Sequence, residues 1–308
     1  MAPVPHKSIF ATQRKSIRSK PLQILLHRAA HKLARKHVQQ YPPLAIFAFD
    51  HIGLSINVWG RYENDALMAA VDFLKSKQVC FSGAVLDIGA NIGNHSIFFS
   101  ELFEKVYAFE PNCRTFELLK FNSQDRKIHP YNFGLSDQNT VAEFFQSTTN
   151  VGGSHVLSSA PKNGTASTSV NLKRLDDLDE LKDSDISIIK IDVEGHESQV
   201  LNGGRDLLSK AKPVVLFEQT LDEIRDGTSK TIAILTELGY EFYVSRKNFT
   251  FGRNTLAKGI SFFLRYVFGE ATVFVQVDNF EKKFYDMIIA FPTTSNTTST
   301  NQNCSNAT

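Results

Sequence analysis

Between residues 84 and 244, short apolar runs alternate with amphipathic stretches, and this alternation leaves few folds open. The pattern predicts strands over 84–88, 105–109, 128–133, 186–191, 213–217 and 240–244, with a last strand near 286–291. Helices are predicted over 93–104, 113–122, 196–209 and 229–238. Strand and helix in succession give a mostly parallel sheet covered on both faces, a doubly wound, Rossmann-like α/β fold. Leu67, Ala70, Val71 and Leu74 recur at helical spacing and place a further helix within 60–78.

The ends of the chain differ from this middle. Residues 1–49 hold nine Lys or Arg and no acid; with an overall net charge of +2, the remainder carries −7. Residues 1–50 therefore form a basic arm, in which Leu22, Leu25, Leu26, Ala29 and Leu33 recur at helical spacing until Pro42 and Pro43 end the helix. Four roles stay open for that helix: packing its Leu face on the domain, binding a partner, peripheral contact with an anionic membrane through residues 1–40, or serving as a transit peptide. The α/β domain spans 51–292. Within it, 134–185 is rich in Ser, Thr, Asn and Gly and reads as a hairpin with a surface loop. The stretch 245–285 is an aromatic-rich insertion whose Phe249, Phe251, Phe262, Phe263, Phe268 and Phe274 form a lid or additional core. Residues 293–308 lack charge and large apolar side chains and read as a disordered polar tail. Cys80, Cys113 and Cys304 are widely spaced, which suits a reducing, cytoplasmic compartment. The acidic balance of the domain argues against a nucleic-acid partner.

The chemistry concentrates where strands end. The first strand runs into Gly89-Ala90-Asn91-Ile92-Gly93, a turn that lets backbone approach a ligand closely. Glu110 ends the second strand 21 residues after Gly89, where a carboxylate can accept hydrogen bonds from ribose hydroxyls. The loop lacks the glycines that cradle a pyrophosphate, so a nucleoside without phosphate fits it better than a dinucleotide. A third strand ends in Lys190, Asp192, Glu194, His196 and Glu197. Crowding of this kind shifts proton affinities and suits acid/base work, although acids at a helix start are also favourable in themselves.

DIGANIGNHSIFF over 87–99, AFEP over 108–111, NFGLSD over 132–137, GGSH over 152–155 and IKIDVEGHE over 189–197 together resemble the FkbM family of S-adenosylmethionine-dependent methyltransferases. The resemblance covers roughly 84–218. It implies a class I methyltransferase fold with a seven-stranded sheet and a final antiparallel strand. It also implies O-methylation of a saccharide, glycolipid precursor or natural product. Carried over by residue, Asp87, Gly89, Asn91 and Gly93 would line the methionine part of S-adenosylmethionine, Glu110 would hold its ribose, and Asp137 would lie near adenine. Methyl transfer to a hydroxyl needs a group to take its proton, and Asp192, Glu194 and His196 are the candidates. Asp192 and Glu218 form a candidate pair for Mg²⁺, and His155 is a candidate for acceptor contact. A nucleoside-dependent oxidoreductase and an inactive donor-binding interaction module remain the alternatives.

Overall fold

The computed structural model describes residues 20–145, 155–156, 167–248, 255–269 and 271–293. Residues 1–19 of the arm and the tail from 294 onward lie outside these, as do Phe249 and Phe251 of the aromatic insertion.

Three helices come first: α1 (Lys20–Gln40), α2 (His51–Trp59) and α3 (Asn64–Ser76). The repeating unit then begins with β1 (Ala84–Ile88), α4 (Asn94–Ser100), β2 (Lys105–Phe109), α5 (Cys113–Asn122) and β3 (Ile128–Tyr131). Every residue of β1 is buried, as a central strand covered on both faces requires. Its side chains alternate between two cores: Ala84, Leu86 and Ile88 enter one, and Val85 enters the other beside Phe98, Phe99 and the Leu67–Leu74 face of α3. The same alternation splits β8 (Ile186–Ile191), with Ile189 and Ile191 on the first face and Ile188 on the second.

Further strands are β9 (Val214–Gln219), β10 (Tyr240–Lys247), β11 (Thr272–Val277) and β12 (Tyr285–Pro292). The eight-stranded sheet runs β11-β10-β12-β9-β8-β1-β2-β3. The pairs from β9 through β3 are parallel, and β12 is antiparallel to both β9 and β10. Seven strands thus form the expected sheet with one reversed strand, and β11 adds an antiparallel edge from within the aromatic insertion. Chain order reverses at β1, whose neighbours β2 and β8 lie on opposite sides, so a cleft opens at the carboxyl ends of these three strands.

The stretch 134–185 contains more structure than a hairpin. β4 (Gly134–Leu135), β5 (Thr140–Phe145), β6 (His155–Val156) and β7 (Ser167–Lys173) make a second sheet in the order β4-β7-β5-β6. Its Phe144, Val170 and Leu172 form a small core of their own. The helix predicted over 196–209 is two helices, α6 (Glu197–Gly203) and α7 (Arg205–Ala211). A Cβ at Gly203 would stand 1.9 Å from the carbonyl oxygen of Ser136, so the glycine lets the β4 segment pass at the break. α8 (Lys230–Glu237) and α9 (Thr255–Phe268) complete the helices.

The arm helix departs from the packed alternative. None of α1 is buried, and Leu22, Leu25 and Leu26 are exposed. It meets the rest of the chain at α2, where His37 Nε2 lies 2.9 Å from the carbonyl oxygen of Val58. Among the described residues no helix is long and apolar enough to cross a membrane.

Candidate active site

The loop after β1 owes its shape to contact with the end of β8. Gly89 has φ +79°, and a Cβ there would stand 1.8 Å from the carbonyl oxygen of Asp192, so these two strand ends meet only through a glycine. Asn91 also has positive φ, and its amide donates to Glu110 Oε2 at 3.0 Å. The amide of Asn112 donates to Glu110 Oε1 at 2.8 Å. The Glu110 carboxylate therefore ties the first loop to the second. Burial pushes it up to about 7, while the two amides and the charge of Lys190 pull the other way.

Lys190 is the hub of the charged cluster. Its buried ammonium lies 3.3 Å from Asp87 Oδ1 and 3.3 Å from Asp192 Oδ2. Burial alone would lower its proton affinity, but Asp192, Asp87, Glu218 and Glu63 together raise it. Asp87 is fully buried and accepts from Ser96 Oγ on its other oxygen. Glu218, on β9, is pushed up to about 9 by burial and by Asp192 and Glu63, against the opposing Lys190, so it keeps its proton at neutral pH.

A second layer comes from the turn before α3. The side chain of Asn94 accepts from the amide of Tyr62 at 3.2 Å and donates to its carbonyl at 3.0 Å, fixing the turn over the start of α4. Tyr62 stacks on His95 with ring centroids 6.3 Å apart, and His95 Nε2 lies 3.2 Å from Glu63 Oε2. Burial works to raise Glu63, but His95 and Lys190 outweigh it and leave the carboxyl below its ordinary range.

On the far side of Asp192, Glu197 turns back to accept from the amides of Val193 and Gly195 at 3.3 and 3.2 Å. It organises the loop that carries Glu194 and His196. Burial pushes Glu197 up to about 7. His196 Nε2 lies 2.9 Å from Ser136 Oγ, and burial lowers the ring's proton affinity while Asp137 opposes.

Part of this constellation lines one cavity of about 160 Å³. Gly89, Asn91 and Glu110 line it together with Asp192, Glu194, His196, Lys190 and Glu218. Tyr62, His95 and His51 close it from the N-terminal side, and Phe144 and Leu172 of the second sheet supply an apolar wall. Asp87 and Gly93 stand outside this lining. Asp87 works from beneath through Lys190, and Gly93, at φ +91°, precedes α4 with its Cβ position 2.9 Å from Leu119. Asp137 is also outside the lining, exposed behind Ser136. His155 pairs through its backbone with Phe145 in the second sheet, and its side chain lies outside the described residues.

Tyr62, Glu63 and His95 went unread in the sequence. The feature that could have found His95 is its place in the first turn of the helix opened by the glycine loop. No finding supports the Mg²⁺ expectation. Among the described residues, no group of three or more His, Cys, Asp or Glu is placed to hold a metal ion. The cation beside Asp192 is the Lys190 ammonium.

A sheet whose order reverses at a glycine loop, with a buried acid ending the next strand and one reversed strand near its edge, has class I methyltransferase architecture. Residues 87–242 match the Methyltransferase FkbM domain, and the chain belongs to that family. It is similar to the hexuronic acid methyltransferase AglP of Haloferax volcanii, at 32% identity over 136 residues that cover 42% of this chain and 53% of that protein. The chain thus spans about half the length of this relative. Solved structures similar to it include the methyltransferase FkbM of Methylobacillus flagellatus KT (19% identity, TM-score 0.37, 55% of this chain and 42% of that one). Another is magnesium protoporphyrin IX methyltransferase ChlM of Synechocystis PCC 6803 with bound SAM (12% identity, TM-score 0.38, 91% of this chain and 100% of that one).

Proposed function

We propose that this chain transfers the methyl group of S-adenosylmethionine to a hydroxyl of a saccharide or glycolipid precursor. The observation that carries the reading is Glu110: a buried carboxylate that braces the Gly89–Gly93 loop with one bond per oxygen and borders the cavity with further acceptor capacity. Such a group suits the two hydroxyls of a ribose, and no phosphate-binding glycine pattern competes with it. S-adenosylmethionine, when bound, supplies an electrophilic methyl on a sulfonium.

The chain's own residues do the rest. Gly89 and Asn91 present loop backbone to the donor, while Phe144 and Leu172 exclude water from one wall. Lys190 fixes one of the Asp192 oxygens through its 3.3 Å contact. The other oxygen is left to orient the acceptor hydroxyl and take its proton as the new C–O bond forms. His196, kept neutral by burial, and Glu194 at the mouth line the same cavity and are the routes by which that proton reaches solvent.

The saccharide class is supported by the relative named for hexuronic acid, and the family favours methyl transfer over the oxidoreductase and interaction-module alternatives. Peripheral membrane contact through residues 1–40 is supported by α1, which has bare Leu side chains, five Lys or Arg and no acid. Labelled methyl transfer to a panel of neutral and acidic saccharides tests the proposal. Wild type should label at least one acceptor, and Asp192→Asn should lose about 100-fold or more in kcat, the usual weight of a general base. Wild-type turnover in Asp192→Asn would overturn the assignment of the base.

A further inference from the structure

α9 is an amphipathic helix turned inside out. Ile260, Phe263 and Val267 follow at i, i+3 and i+7, with Phe262 and Tyr266 beside them at i and i+4, so the five share one face. That face points to solvent: Phe262 is 68% exposed, Phe263 62% and Tyr266 82%. Ser261 is buried and Leu264 half-buried on the opposite side. A Cβ added at Gly259 would meet no atom within 4 Å. Contiguous aromatic exposure of this extent calls for an occupant.

Charge identifies it. From 242 to 269 the chain contains Arg246, Lys247, Arg253, Lys258 and Arg265 and no acid. An exposed aromatic face within a stretch that is purely basic between Glu241 and Glu270 matches an anionic phospholipid surface, where rings enter the headgroup boundary and cations meet phosphate. A second copy of this chain would bring the same cations against themselves.

The root of the helix is fixed to the sheet. Asn248, just after β10, accepts from the amide of Ala271 at 3.0 Å and donates to the carbonyl of Gly269 at 3.1 Å, clamping the two ends of the excursion together. β12 is antiparallel to both β9 and β10, so β10 runs in the same direction as β1, β8 and β9. The α9 excursion therefore leaves the sheet at the carboxyl edge that carries the cavity. It lies three strands from β8, about 15 Å along the sheet at the usual strand spacing.

We infer that α9 is a membrane-docking element of the catalytic domain, separate from the arm, that lays its Phe262–Val267 face on anionic phospholipid and turns the cavity edge of the sheet toward the bilayer. The inference does not depend on methyl transfer, because vesicle binding is read without substrate. The test is co-sedimentation of the full chain with phosphatidylcholine vesicles, with and without phosphatidylglycerol. Wild type and the double variant Phe262→Ser, Phe263→Ser are compared. Both substituted side chains are exposed, so circular dichroism and the thermal midpoint should match wild type.

Wild type should sediment with the anionic vesicles at low salt and release at high salt. The variant, with α1 intact, should lose about tenfold or more in partitioning. Wild type that ignores anionic vesicles, or a variant that binds as wild type does, overturns the inference. So does a wild-type dimer in solution that the variant converts to monomer, which would assign the face to a second copy of the chain.

Discussion

Lys190→Met removes the buried ammonium while nearly keeping its volume, and its cost can be worked from the two 3.3 Å contacts. At an effective dielectric near 20, each contact contributes about 5 kcal/mol of attraction, much of it offset by the cost of burying the charges. The Asp192 contact is further discounted because that side chain is 31% exposed. Asp87, with no exposure at all, cannot recover solvation, so the net loss should be about 3–5 kcal/mol at pH 8, the range for stranding one member of a buried pair. Urea unfolding followed by circular dichroism is the suitable assay, because the single tryptophan, Trp59, is 70% exposed and reports poorly on the core. Adding Asp87→Asn to Lys190→Met should restore part of the loss. Wild-type stability in Lys190→Met at pH 8, or a double variant weaker than the single one, would refute the pairing argument.

Glu110 and Glu197, raised from 4.5 to about 7, and Glu218, raised to about 9, make the folded chain hold more protons than the unfolded one. Unfolding free energy should therefore fall as pH rises from 5 to 8, by about 3 kcal/mol or more; a flat or rising profile in urea titrations would contradict these shifts. Gly89→Ala should destabilise the fold by at least about 3 kcal/mol, because its Cβ meets the backbone of Asp192 rather than a flexible side chain. An unchanged thermal midpoint would show that the two strand ends can part.

The parallel sheet was legible because its central strands are buried and read as apolar runs such as Ala84–Ile88, with glycine or acid punctuation after them. The second sheet was not, because Thr140–Phe145 and Ser167–Lys173 alternate weakly and pair across long polar stretches. α2 escaped because its sequence, HIGLSINVW, is apolar with little sidedness, so no periodicity marked it. The split between α6 and α7 depends on Ser136, some 67 positions away, which a local pattern cannot report. The candidate residues at strand ends, Gly89, Asn91, Glu110, Asp192, Glu194 and His196, all border the cavity. Asp87 and Gly93 belong to the same motif but lie behind the wall. The Tyr62–Glu63–His95 layer joins segments about thirty residues apart through Asn94, and only tertiary structure reveals it.

The central claim, a nucleoside donor held by Glu110 beside the Gly89–Gly93 loop, is tested most directly by calorimetric titration of S-adenosylmethionine into wild type and Glu110→Ala. Wild type should bind. Affinity should weaken as pH falls below about 7, where the Glu110 carboxyl gains its proton and loses acceptor capacity. Glu110→Ala should lose about 1.5–3 kcal/mol, the weight of hydrogen bonds to a charged group, which is at least tenfold in affinity. A folded wild type that does not bind the donor, or a Glu110→Ala variant that binds it as tightly as wild type, would contradict the account.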